Sequence, residues 1–190
     1  MMLIIGLGNP GVNYEKTRHN AGFIALDSIA ESLKSDFKES GKYKAQISIC
    51  EFEAGQIKKK IILLKPQTYM NLSGISASLV KSFYKINIDD VVVLHDDIDL
   101  KLGQIKHKQG GGSGGHNGIR SLDENIGSNY HRIRIGVGRP DSAGPDVASF
   151  VLNNFTQDEM IKINEAIGRI ANSKSLIFEK KFTLLLGAVK

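Results

Sequence analysis

Residues 1–22, MMLIIGLGNPGVNYEKTRHNAG, decide how the rest of the chain is read. Met1 to Leu7 is an apolar run, bounded by glycine and too short to cross a membrane, which reads as a buried strand. It ends in a turn, Gly8-Asn9-Pro10-Gly11, and a polar segment then delivers His19 and Asn20 just before the first amphipathic helix. In open α/β sheets ligands sit outside the carboxyl ends of the strands. Asn9 and His19 therefore nominate a site at that edge. The same residues, Gly6-Leu7-Gly8-Asn9-Pro10-Gly11, match the glycine fingerprint of dinucleotide-binding folds. That fingerprint needs its third glycine to run directly into a helix whose N-terminus holds a pyrophosphate. Here Pro10 and the stretch VNYEKTRH intervene, and no 3.6-residue apolar period starts before Phe23. The spacing disfavours a nucleotide site.

Outward from this stretch, Phe23, Ile24, Leu26, Ile29, Ala30 and Leu33 predict a helix over 22–34 that covers the sheet. Residues 34–44 are polar and irregular. Ala45, Ile47 and Ile49 alternate with polar partners, and Ile57 to Leu64 is apolar, which predicts a β-hairpin turning near Gly55. Pro66 ends the second strand and throws out the loop QTYMNLSG; a helix over 73–86 follows, with Ser73 as its expected N-cap. Val91 to Leu94 has the composition of a strand buried on both faces, and it ends in His95-Asp96-Asp97-Ile98-Asp99. A short strand over 103–108 precedes Gly110-Gly-Gly-Ser-Gly-Gly115, which can only be a loop. His116-Asn117 opens a helix to about Ile126, and Ile133, Ile135 and Val137 alternate with Arg132 and Arg134 in a strand with one basic face. Residues 139–146 form a Pro/Gly loop, a long helix contains Met160 to Ile170, and a final helix or extended piece follows Ser173.

The 190 residues, 41% hydrophobic and 24% charged, suit one folded domain spanning 1–190, with no repeat or linker. The single cysteine, Cys50, excludes an internal disulfide framework and sits in an alternating run as a small core residue. No charged region precedes the apolar start and no run approaches membrane-spanning length, so a cytoplasmic protein is expected. The net charge of +5 is concentrated. Between Lys101 and Arg139 stand seven basic residues (Lys101, Lys106, Lys108, Arg120, Arg132, Arg134, Arg139) against two acidic ones, and the remainder of the chain is balanced. Such a stretch is the usual footprint of a phosphate-bearing partner, although a merely solvated face has the same composition.

Polar residues gather where loops meet strands or helices: Asn9 with His19, Asn71, Asp96, and His116 with Asn117. A histidine that meets a carboxylate is the minimum for general-base activation of water, the carboxylate holding one tautomer and stabilising the imidazolium. Carboxamides carry donors and acceptors without charge, and so suit an ester and a developing oxyanion. No serine or cysteine stands in a nucleophile-elbow sequence, which favours direct attack by water.

Five co-linear blocks, GLGNPGVNYEKTRHNAG, KPQTYMNLSG, LHDDIDL, GGGSGGHNGIRS and HRIRIGVGRP, resemble the bacterial-type peptidyl-tRNA hydrolase family over residues 3–151. The resemblance implies a single α/β globule with a twisted mixed sheet flanked by helices. It implies hydrolysis of the ester joining a peptide to the 3′ ribose of tRNA. By this match His19 is the base and Asp96 the residue that keeps it basic, while Asn9 discriminates blocked from free aminoacyl groups. Tyr14, Tyr69, Asn71 and Asn117 match substrate-contacting positions; Lys108 and Arg134 match basic residues that hold tRNA phosphate. Ser113 departs from a usual histidine in the glycine loop, and Lys101-Leu102 stand where a proline is usual. Beyond residue 151 only amphipathic character is shared. A monomer without metal or organic cofactor is expected.

Two other functions match parts of the chain: a non-catalytic RNA-binding module, and a nucleotide-dependent oxidoreductase suggested by the glycine fingerprint, which Pro10 disfavours. The RNA-binding module would use the basic stretch but would need neither His19 nor Asp96. A metal at His19, Asp96 and His116 lacks any ligand spacing in the sequence. His95 is expected to pack beside its strand, and His107 and His131 are unassigned.

Overall fold

The computed structural model describes residues 1–54, 57–140 and 146–190. Its centre is β1 (Met2–Gly6), buried along its whole length. Around it lies one seven-stranded sheet in the order β2-β3-β4-β1-β5-β7-β6. The strands are β2 (Lys38–Ser40), β3 (Ala45–Ala54), β4 (Ile57–Pro66), β5 (Val91–Asp97), β6 (Ile105–Gln109) and β7 (His131–Gly136). β4, β1, β5 and β7 run parallel, β3 and β6 run opposite to them on either side, and β2 pairs antiparallel with β3 at one edge. The α/β fold with a mixed sheet is therefore as expected. Of the parallel strands, β1 and β5 are the apolar runs, because helices cover both of their faces.

Alternation along β1 divides the core. Met2 and Ile4 face a layer with Leu26, Ile29, Ile163, Ile170 and Phe178; Leu3 and Ile5 face one with Val80, Ile119 and Tyr130. The first layer comes from α1 (Ala21–Ser32), α5 (Gln157–Asn172), α6 (Lys174–Phe178) and α7 (Phe182–Ala188). The second comes from α2 (Ser73–Phe83) and α3 (Asn117–Ile126), with Tyr130 from the segment before β7. The remaining helix, α4 (Val147–Leu152), is short and stands near the carboxyl edge of the sheet.

The glycines of the first stretch serve packing. A methyl group on Gly22 would collide with the Leu94 carbonyl oxygen and the Leu7 backbone, and one on Gly8 would enter the Phe23 ring. α1 thus crosses β1 and β5 at backbone contact, which only glycine permits. The Phe23 amide donates to the Leu7 carbonyl at 3.1 Å, sealing that crossing.

Several expectations need correction. The 34–44 segment contains β2, a three-residue edge strand whose period is too short to register. Ser73 does not cap α2: it is the first helical residue, and its hydroxyl donates to the Met70 carbonyl at 2.9 Å. The piece after Ser173 is two helices, α6 and α7. β3 and β4 pair as the expected hairpin, but the turn at Gly55 lies outside the described residues, as does 141–145 of the Pro/Gly loop. Cys50 is half-buried against the core.

Candidate active site

Four parallel strands release their chains at one edge. β1 leads to Asn9, β4 to the loop with Tyr69 and Asn71, β5 ends in Asp96-Asp97, and β7 carries Arg134. His19 enters from a 3₁₀ turn, Arg18–Asn20, that leads directly into α1. The close α1–β1 crossing places that turn beside the end of β5. There His19 Nδ1 lies 3.0 Å from each oxygen of Asp96, with both side chains nearly enclosed.

His116 completes the group. Its Nε2 is 2.9 Å from Asp96 Oδ1, and its Nδ1 accepts from the backbone amides of Gly118 and Ile119 at 3.1 and 3.3 Å. An ionised carboxylate only accepts hydrogen bonds, so both contacting ring nitrogens carry protons. His116 is thereby fixed as its Nε2–H tautomer, acting as the N-cap of α3. His19 is fixed with its proton on Nδ1, which leaves Nε2 as a lone pair on a ring that lines the cavity described below. Burial drives the His19 pKa down, but the Asp96 charge and hydrogen bond outweigh it and hold the pKa above the ordinary 6.5. Burial likewise raises Asp96, and the two imidazoles overcome it, keeping this carboxyl far below the usual carboxylate range. His95 packs as expected: its Nδ1 donates to the Asp96 carbonyl at 2.7 Å, and burial with the nearby His116 lowers its pKa to about 3.

Asn9 is held next to this group by Asn20. The Asn9 amide donates to Asn20 Oδ1 at 2.8 Å, and Asn20 Nδ2 donates back to the Asn9 carbonyl at 3.0 Å. The Asn9 Oδ1 accepts the Met70 amide at 2.8 Å, so its Nδ2 is the end left to donate. Asn9 lines a neighbouring cavity of about 290 Å³ with Glu15 and Lys65, and not the one that holds His19. Tyr69 and Asn71 flank Met70 in an exposed turn, and Tyr69 is 61% accessible. Met70 presses on Gly118 of α3, which brings this turn against Asn117, the exposed first residue of that helix. Tyr14 is half-buried in the turn before Thr17, whose hydroxyl donates to the Tyr14 carbonyl at 2.8 Å.

A cavity of about 450 Å³ opens over the histidines. His19, Asp96, His116 and Asn117 line its floor; Lys108, Arg134 and residues 112–115 of the glycine loop form one wall, and Val147, Ala148 and Val151 of α4 another. The basic residues are not equivalent. Arg132 is buried, donating to the carbonyls of Gly111 and Gly112 at 2.8 and 2.9 Å and to Asp123 at 3.0 Å. It shapes the loop, and its charge does not reach a partner at the surface. Arg134 pairs with Asp97 at 2.6 Å, and Arg139 pairs with Asp99. Lys108 is exposed, and its ammonium lies against Gly111 with no acidic partner among the described residues. His107 and His131, unassigned from sequence, share a 3.1 Å hydrogen bond away from this cavity, with His107 stacked on Phe182 and His131 tilted against it.

The donor atoms of His19, Asp96 and His116 lie within 4.8 Å of one another. Asp96 accepts from the facing nitrogen of each histidine, which ties the trio together as a hydrogen-bonded chain. The sequence places His116 among the polar residues at element ends but assigns it no contact with Asp96; a His-Asn pair at the end of a glycine loop is the signal for a cap that faces the site. Asn20, which the sequence shows only as the residue before the first helix, is the one that holds Asn9.

A mixed α/β sheet that presents a buried imidazole–carboxylate pair to a cavity at its carboxyl edge has the make-up of an α/β enzyme. The model of the peptidyl-tRNA hydrolase family matches residues 3–189, well past the last motif recognised in the sequence. A peptidyl-tRNA hydrolase of Rickettsia bellii (strain RML369-C) is 53% identical over 181 residues, 95% of each chain, and that of Rickettsia prowazekii (strain Madrid E) is 51% identical over the same span. The crystal structure of peptidyl-tRNA hydrolase from Acinetobacter baumannii superposes with a TM-score of 0.91 at 35% identity, covering all of this chain and 94% of that one. The chain belongs to the peptidyl-tRNA hydrolase family, and it is a hydrolase.

Proposed function

We propose that this chain, acting as a monomeric single domain in the cytoplasm, hydrolyses the ester between a peptide or N-blocked amino acid and the 3′ ribose of tRNA. It thereby recycles peptidyl-tRNA released from stalled ribosomes. The observation that carries this reading is the doubly held Asp96, which leaves His19 Nε2 as the unprotonated nitrogen of a cavity-lining ring. His19 takes a proton from water as the oxygen attacks the ester carbonyl carbon, and Asp96 stabilises the imidazolium. The tetrahedral intermediate collapses by breaking the bond to the ribose 3′ oxygen, which recovers the proton from His19. Asn117 and Asn71 offer amide donors to the oxyanion and the peptide, and Asn9 offers Nδ2 to the blocked amino group's carbonyl. Tyr14 and Tyr69 contact the substrate, and Lys108 and Arg134 hold phosphate. The steps require no metal or organic cofactor.

The test is release of an N-blocked amino acid from tRNA, with and without chelator, by the wild-type chain and His19→Ala. General-base assistance is worth about 10²–10⁴-fold, so the variant should lose that much kcat while binding tRNA normally. Retention of more than about a tenth of the wild-type rate removes His19 from this role. Activity lost to chelator and restored by zinc, but not by ionic strength, overturns the metal-free reaction.

A further inference from the structure

Arginine is almost never fully buried without a partner, yet Arg18, the residue directly before His19, is only 6% exposed. Its Nη1 donates to three carbonyls, those of Phe150, Asn153 and Asn154, at 3.3, 3.2 and 3.1 Å. Its Nη2 pairs with Glu159 at 2.7 Å, and the guanidinium carbon lies 4.2 Å from the centre of the Phe150 ring. The three carbonyls lie at or just beyond the C-terminus of α4, where acceptors lack helical partners and the dipole favours a cation. Glu159 belongs to the capping box that starts α5 with Thr156. The backbone repeats the connection: the Arg18 amide donates to the Asn153 carbonyl at 3.2 Å, and the Phe155 amide to the Lys16 carbonyl at 3.0 Å.

One side chain therefore gathers the end of α4, the start of α5 and the turn that bears His19. The inner face of α4, with Val147, Ala148 and Val151, is a wall of the cavity over that histidine. Arg18 itself does not line the cavity. We propose that Arg18 is a positioning residue for hydrolysis, locking the α4 wall to the turn that carries His19 and so setting the distance between base and bound ester. This inference rests on the reaction proposed above. Two clamps hold the base. Asp96 grips its ring and governs tautomer and proton affinity; Arg18 grips its backbone turn and governs where the ring stands against the substrate.

The division of labour gives a kinetic signature. Losing Arg18 leaves the His19–Asp96 contact intact, so the acid limb of kcat should not move while kcat falls. A purely structural role would lower the melting temperature and leave the folded enzyme's kcat unchanged. Arg18→Lys keeps the charge, but a compact ammonium cannot stack on Phe150 while serving three carbonyls and Glu159. Glu159→Gln keeps a residue type that closes a capping box and removes the ionic partner.

The experiment compares wild type with both variants on N-blocked aminoacyl-tRNA, recording melting temperature, kcat, KM and the pH profile. Arg18→Lys should remain folded at the assay temperature, lose about 10–100-fold in kcat, as small misplacements of catalytic groups do, and keep its KM and acid limb. Glu159→Gln should show a smaller loss of the same kind. Wild-type kcat in folded Arg18→Lys overturns the proposal, as does an acid limb displaced like that of an Asp96 variant. If Arg18→Lys does not fold, Glu159→Gln decides, and an unchanged kcat there overturns it. A wild-type chain inert on this substrate refutes the reaction itself, whereas active wild type with full-rate variants refutes only the role of Arg18.

Discussion

His116 and His19 meet on one oxygen. His116 Nε2 lies 2.9 Å and His19 Nδ1 3.0 Å from Asp96 Oδ1, with the ring centres 4.8 Å apart. Through His116, the amides that open α3 are connected to the carboxylate that orients His19. Asp96 is therefore held from two sides, by the N-terminus of α3 through His116 and by His19, 77 residues earlier in the chain.

His116 has two duties, which substitution can separate. His116→Ala removes both the cap and the second grip on Asp96, and should cost about 0.5–2 kcal/mol of stability together with on the order of tenfold in kcat. Asparagine is a strong N-cap, so His116→Asn should regain the stability but not the rate, its short side chain being unable to serve α3 and Asp96 together. Thermal melts alongside steady-state kinetics check both halves; equal recovery of rate and stability would reduce His116 to a cap.

Asp96 sets the pH range of activity. A protonated His19 cannot take a proton from water, so activity should fall as pH drops through its raised pKa, above 6.5. In Asp96→Asn the cause that raises this pKa is gone and the burial that lowers it remains. The acid limb of kcat should then move to lower pH, with a rate lower on the order of 10²-fold or more. A pH–rate profile of the variant measures both, and an unchanged profile at an unchanged rate would separate Asp96 from His19.

The phosphate contacts should be graded. Each phosphate contact contributes a slope of about −0.7 to −0.9 in log K against log salt. Lys108→Ala should raise KM for full-length peptidyl-tRNA and flatten the slope by roughly one unit or less, and Arg134→Ala should do so less, because Arg134 already pairs with Asp97. Cleavage of a blocked amino acid on a short 3′ fragment should hardly change. If that fragment suffers equally, the two residues serve the reaction centre or the fold.

The glycine fingerprint should prove structural. Gly6→Ala forces a methyl group against the Gly22 carbonyl oxygen of α1, and should destabilise the chain by about 1–3 kcal/mol, read by denaturant titration. Calorimetric titration of the wild type with a dinucleotide should show no heat of binding.

The sequence by itself determined the elements and the residue types at their ends. Apolar runs and alternations marked β1, β3, β4, β5 and β7, helical periods marked α1, α2, α3 and α5, and turn chemistry put Asn9, His19, Asp96 and Asn117 where chain segments begin or end. These signals are local, and a single stretch of chain carries them. Only the tertiary structure decided which of these ends meet. His19 and Asp96 are 77 residues apart and His116 a further 20 beyond Asp96, and their contact follows from a strand order that brings β5 beside β1. The charge count shows the same limit. Composition assigns Arg132, Arg134 and Lys108 one shared excess, whereas burial ties Arg132 to the glycine loop, Asp97 pairs Arg134, and only Lys108 of the three stands without an acidic partner among the described residues. Side-chain type is a property of the sequence, but the free energy of a charge depends on the groups that folding brings around it, and no local pattern encodes those.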